Sequence, residues 1–174
     1  MKKVELLSPV GNLETLYYAI HNGADAVYLA GKRYGARKYA NNFDEEELIY
    51  AIKYSHLYGV KVYVTVNTMI YQSELDAVLE YLKFLHINGV DAIIMQDIGL
   101  ISKVKEYLPN LEIHASTQLH NHNNGGSKLL KELGVKRIVL ARELHIKEIE
   151  EIKKQVPDME LEVFVHGAMC MSYS

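Results

Sequence analysis

The sequence predicts an α/β fold, a TIM-like (β/α) barrel left incomplete at about seven parallel strands, on three observations. A phrase made of Gly, a small or β-branched residue, Asp or Lys, and an apolar run recurs four times. It stands at Gly23-Ala24-Asp25-Ala26-Val27-Tyr28, Gly59-Val60-Lys61-Val62-Tyr63-Val64, Gly89-Val90-Asp91-Ala92-Ile93-Ile94 and Gly134-Val135-Lys136-Arg137-Ile138-Val139. Each copy reads as a helix stopped by Gly, a short turn and a buried strand, which is the joint of a βα repeat. The apolar runs are near-continuous, as in parallel strands covered on both faces. The first turn, Ser8-Pro9-Val10-Gly11, carries one Gly and no Gly-rich phosphate signature, so a barrel is preferred over an open doubly wound sheet.

In chain order the strands are expected near residues 4–7, 26–29, 62–66, 92–95, 112–115, 138–140 and 161–165. Helical patterns lie between them at 13–22, 44–58, 73–88, 98–108, 128–133 and 146–156. Asp44 with Glu47 three residues on reads as a capping box, and Ser73 followed by Glu74 and Asp76 as a second helix start. A closed barrel takes eight strands and typically about 250 residues. The chain is therefore expected to be one barrel domain over residues 1–174, cut before the eighth strand.

With 174 residues, 49% hydrophobic and 24% charged, the chain has the balance of an ordinary soluble domain. At that size roughly 70% of the unfolded surface is buried, without disulfide or metal staples. The net charge of -3 predicts no broad affinity for nucleic acid, although 19 Lys and Arg leave room for a local basic face. A single cysteine, Cys170, excludes an internal disulfide framework and fits a reducing compartment. Glu5 interrupts the N-terminal apolar run, and no segment reaches the roughly 20 apolar residues of a membrane span. The expected location is cytoplasmic.

In (β/α) barrels the reactive groups come from the C-terminal ends of the strands. Those positions hold Ser8, Lys32 and Arg33, Asn67, Gln96 and Asp97, Ser116 with Thr117 and Gln118, Arg142 and Glu143, and His166 with Cys170. Each also has a plain reading. Asp97 and Ser116 suit helix caps, and Arg142-Glu143 is either an ordering ion pair or an anion-binding fork. His114, His120 and His122 lie close in sequence, but no further ligand stands at helical spacing with them, and His114 should alternate inward. A triad can be written from Ser8 or Ser116 with His166 and Asp97, but the sequence shows no nucleophile elbow.

Several stretches together carry a resemblance. They are Leu6-Leu7-Ser8-Pro9-Val10-Gly11 with Glu14, Gly35-Ala36-Arg37 before Asn42-Phe43, Val64-Thr65-Val66-Asn67-Thr68 and Gln96-Asp97-Ile98-Gly99-Leu100. His114-Ala115-Ser116-Thr117-Gln118, Leu140-Ala141-Arg142-Glu143-Leu144 and Glu162-Val163-Phe164-Val165-His166-Gly167-Ala168-Met169-Cys170 belong with them, as does the Gly23 phrase. In this order they resemble peptidase family U32, from Glu5 to Ser174.

The resemblance implies oxygen-independent hydroxylation, of a tRNA wobble uridine, an rRNA cytidine or a ubiquinone precursor, with RNA as the leading expectation. It also implies prephenate as hydroxyl source and a four-iron four-sulfur cluster held by four cysteines. Cys170 matches the first of those cysteines as a metal ligand. Since it stands alone, a cluster is expected in the full-length protein and none in this chain. Expected catalytic residues are His166, Glu143 and Arg142. Expected substrate-binding residues are Arg37, Asn67 and Gln118, with the arginines suited to an anion and the amides to a base edge. The alternatives are a collagenase-like peptidase with a peptide substrate, as the family name says, or an inactive fragment. Open barrel edges at the first and seventh strands would favour self-association.

Overall fold

The computed structural model describes residues 4–36 and 42–167, which form two compact units divided between Ile93 and Ile94. The first unit holds β1 (Leu7–Pro9), α1 (Leu13–His21), β2 (Ala26–Ala30), α2 (Glu45–Leu57), β3 (Lys61–Val66) and α3 (Leu75–Ile87). It ends within β4 (Ala92–Met95), which crosses the division. From β4 the second unit continues through α4 (Ile98–Tyr107), β5 (Ile113–Ala115), α5 (Asn124–Glu132), β6 (Arg137–Val139), α6 (Ile146–Gln155) and β7 (Glu160–Glu162). Strand order follows chain order, β1 to β4 in the first unit and β4 to β7 in the second. The registers are parallel, with Val27 beside Val62 and Ile138 beside Leu161. This is the alternating strand and helix architecture of the (β/α)-barrel class.

The recurring phrase is one kind of helix stop. Gly23, Gly59, Gly89 and Gly134 have φ of 91°, 70°, 87° and 79°, in the left-handed region that costs glycine little. The next residue donates its N–H back across the helix end: Ala24 to Ala19, Val60 to Ser55, Val90 to Leu85 and Val135 to Leu130. That is the six-to-one bond of a Schellman motif, which also calls for an apolar side chain at this position, and all four are buried. The aspartates of the phrase tie each strand to the one before it. Asp25 Oδ2 accepts from the Leu6 N–H at 2.9 Å, and Asp91 Oδ2 from the Val62 N–H at 2.7 Å.

Within the first unit the core is carried by β3, where Val62, Tyr63, Val64 and Val66 are fully buried. Each such valine contributes roughly 1.5–3 kcal/mol. In the second unit Ile113, Ala115, Ile138 and Val139 play this part beside a charged row. Across the strands His114 pairs with Arg137, and Arg137 with Glu160. The buried Arg137 guanidinium reaches Glu160 at 2.7 Å and Glu162 at 3.5 Å.

Helix starts follow the expected chemistry at α2, where the Asp44 carboxylate accepts from the Glu47 N–H and Glu47 answers to the Asp44 N–H. Four elements differ from the sequence expectation by two residues or more at a boundary. The first strand lies at Leu7–Pro9, and Val4 is 86% exposed before it. A 3-10 turn, Gln72–Glu74, precedes α3, and Glu74 rather than Ser73 closes it by accepting the Tyr71 N–H. α5 starts at Asn124, under the Asn123 cap, because that cap overrides the poor helix propensity of Gly125-Gly126. β7 ends at Glu162, since only Glu160–Glu162 find partners on β6, and the apolar Val163 and Val165 that suggested a longer strand are exposed. Among the described residues no helix is long and apolar enough to cross a membrane.

Candidate functional site

In the first unit the loop after β2 carries Lys32 and Arg33, each held by the start of α2. Lys32 Nζ lies 3.2 Å from Asp44 Oδ2, and Arg33 Nη2 lies 3.5 Å from Glu45 Oε1. The Glu47 N–H, and then Lys32, hold the Asp44 carboxyl below the usual carboxylate range. With Phe43, Leu48 and Tyr81 these residues line a cavity of about 450 Å³. The Tyr81 hydroxyl is buried against Gly31 without a hydrogen-bond partner, and burial pushes its pKa up. After β3, Asn67 Oδ1 accepts from the Ala36 N–H at 3.1 Å, and Thr68 Oγ1 donates to the Tyr34 carbonyl at 3.2 Å. Asn67 thereby anchors the backbone that leads toward Arg37. Arg37 itself lies outside the described residues.

In the second unit the loops after β5, β6 and β7 are joined by side chains. After β5 the chain makes a 3-10 turn, Thr117–Leu119, and closes it at His120 with φ of 51°. That left-handed residue turns its carbonyl to His122 Nδ1, at 2.7 Å. His122 Nε2 then lies 3.5 Å from the Glu143 carboxylate of the β6 loop. Next to Glu143, the Arg142 guanidinium sits over the Phe164 ring of the β7 loop, 4.0 Å from its centroid. The result is one continuous rim of His122, Glu143, Arg142 and Phe164.

Beneath that rim the loop is fixed by buried polar groups. Asn121 Nδ2 donates to Ser127 Oγ at 2.8 Å, and Ser127 Oγ donates to the Asn123 carbonyl at 3.1 Å. Gly126 leaves the space that the Asn121 amide occupies, where a Cβ would collide. Thr117 Oγ1 and Gln118 Oε1 are buried with no hydrogen-bond partner. An unmatched buried polar atom costs about 1–3 kcal/mol.

Of the expected site residues, the structure brings Gln118, Arg142 and Glu143 to the strand ends of the second unit. Asn67 stands in the first unit, and His166 is exposed in the bend beyond β7. Cys170 lies outside the described residues. Asp97 and Ser116 act as caps: Asp97 Oδ1 accepts from the Leu100 N–H at 2.9 Å and Ser116 Oγ from the Gln118 N–H at 3.3 Å. His114 is fully buried on β5, apart from His120 and His122 in role, and its Nε2 lies 2.9 Å from Glu112 Oε1. Sequence reading missed Phe164 and the pairing partner of Glu143. The apolar run 161–165 makes Phe164 a strand-interior residue in the sequence, whereas the strand that ends at Glu162 places it in the rim.

Among the described residues no group of three or more His, Cys, Asp and Glu could hold a metal ion. Iron-sulfur clusters are held by about four thiolates, and the chain has one cysteine. The residues of this chain do not by themselves complete that ligand set.

Comparison with known proteins places this geometry in context. The model of the family described as "Peptidase family U32" matches residues 11–174. The chain is 46% identical over 174 residues to tRNA hydroxylation protein P of Escherichia coli (strain K12), covering 100% of this chain and 38% of that protein. It is 39% identical over 172 residues to a 23S rRNA 5-hydroxycytidine synthase of the same organism, covering 99% of this chain and 26% of that protein. It therefore spans well under half the length of these relatives. A solved U32 peptidase structure superposes with a TM-score of 0.77 at 16% identity, over 92% of this chain and 68% of that one.

Proposed function

The chain belongs to peptidase family U32, and on that premise we propose that it is part of an enzyme that hydroxylates RNA, at a tRNA uridine or an rRNA cytidine. The observation that carries the reading is the joined rim after β5, β6 and β7, in a chain 46% identical to a tRNA hydroxylation protein over its whole length. Hydroxylation at a ring carbon is a two-electron oxidation with an oxygen atom gained. The residues of this chain bind and orient for that step rather than supply the oxidant. Gln118 reads a base edge, Arg142 and Glu143 form the wall over which the base lies, and His122 holds Glu143 in place. Asn67 acts at one remove, by anchoring the segment before Arg37. Arg37 is the residue proposed to meet an anion, phosphate or the carboxylates of prephenate, and the exposed His166 to move a proton near the rim. Cys170 is proposed as one ligand of an iron-sulfur cluster whose other thiolates lie outside this chain. The cytoplasm is the compartment that fits such a thiolate site.

A peptidase reading has less support. Of the side chains a triad would borrow from the second unit, Asp97 and Ser116 both serve as caps. Deletion of the full-length gene is the test. Mass spectrometry of digested RNA should then show the loss of one hydroxylated pyrimidine nucleoside, restored by the intact gene and left unrestored by Cys170→Ala. An unchanged nucleoside profile, with cleavage of gelatin by the pure protein, would favour the peptidase.

A further inference from the structure

We propose that the Arg142–Phe164 pair is a stacking platform for one unpaired RNA base, an inference that rests on the RNA reading above. The guanidinium lies over the ring at 4.0 Å, and Phe164 still leaves 37% of its surface exposed in the loop after β7. Cationic groups over aromatic rings make flat surfaces, and unstacked RNA bases settle on aromatic rings and guanidinium planes. Such surfaces on soluble proteins usually carry a function when polar groups border them. Here the border is Glu143, next to Arg142 in the chain, with His122 3.5 Å from its carboxylate.

The spacing suits a single base. Gln118 follows β5 and Phe164 follows β7, with β6 between them. Two strand spacings amount to roughly 10 Å, which sets the scale of the span between the two loops. We pair the Gln118 oxygen, which has no hydrogen-bond partner, with a donor on the ring of that base. Uracil offers N3–H and cytosine its exocyclic amine, each next to an acceptor, so either pyrimidine satisfies an amide side chain. A phosphate offers acceptors alone and would leave Gln118 Oε1 unmatched. The platform therefore takes the base, and the phosphates pass elsewhere.

The test uses the purified full-length protein and a short single-stranded RNA containing one pyrrolo-cytidine, whose fluorescence falls when its base is stacked. The unsubstituted protein and Phe164→Tyr should quench it. Phe164→Leu keeps the bulk and loses the π face, and should bind about 5- to 150-fold more weakly with little quenching. Arg142→Lys keeps the charge and loses the flat guanidinium, and should lose part of the quenching. Quenching that depends on Phe164 together with an unchanged nucleoside profile in the deletion strain supports the platform and refutes hydroxylation. Equal quenching by Phe164→Leu and the unsubstituted protein, or none by either, overturns the platform even if hydroxylation is confirmed.

Discussion

His114 shows how one side chain sets a pH limit on the fold. It is fully buried, and burial holds its pKa below the usual histidine value, while the bond to Glu112 pulls the other way. Glu112 in turn sits below its usual value, chiefly because His114 donates to it. Both depressions have the same sign. The unfolded chain takes up protons that the folded chain refuses, so the contribution to stability is present above the ordinary histidine pKa of about 6.5 and is lost as pH falls below it. The carboxylate contribution follows, lost as pH falls below the ordinary carboxylate range. Urea midpoints measured from pH 8 down to pH 5 should decline, and His114→Gln should flatten the decline. A second residue tests an unmatched group. Tyr81→Phe removes a buried hydroxyl that has no partner and fills the space a Cβ at Gly31 would take, and should be neutral or stabilising by up to about 1 kcal/mol in thermal melts. Neither environment was legible in sequence. His114 could be read as inward-facing from strand alternation alone, but its Glu112 partner depends on the local twist. Tyr81 sits within an ordinary helix pattern and meets Gly31 only through the fold.

At the scale of the element, the four Schellman stops were the most readable feature, because Gly plus a small or β-branched residue encodes both the left-handed turn and the buried side chain after it. Gly59 has φ of 70° and open space where a Cβ would stand. Gly59→Ala should therefore cost about 1–2 kcal/mol from backbone strain alone, read as a lower urea midpoint with unchanged slope, and Gly59→Asn should cost less. The strand ends were less readable. Val163, Phe164 and Val165 have the composition of a buried strand, yet Glu160–Glu162 alone pair with β6. The charged row of Arg137 and Glu160 holds that short pairing, and the apolar residues beyond it fall into the loop. The same shift hid Phe164, so the part of the rim carrying the proposed platform could not be found from apolar runs.

At the scale of the whole molecule, the order and parallel sense of the strands, the helices between them and the family were legible from the sequence. The joined rim was legible in part. Gln118, Arg142 and Glu143 stand at strand ends as expected, whereas the His122 contact to Glu143 depends on a left-handed turn at His120 that no pattern signalled. With a net charge of -3 the chain as a whole does not attract RNA. The proposed recognition of RNA therefore relies on the local groups of the rim. The most direct test returns the full-length gene to a deletion strain in three forms and measures hydroxylated pyrimidine nucleosides by mass spectrometry. The account predicts that Arg142→Ala and Glu143→Gln leave the nucleoside missing, while Lys103→Ala, on the exposed face of α4, restores it. Restoration by all three forms would contradict the assignment of the β5 to β7 rim as the working site.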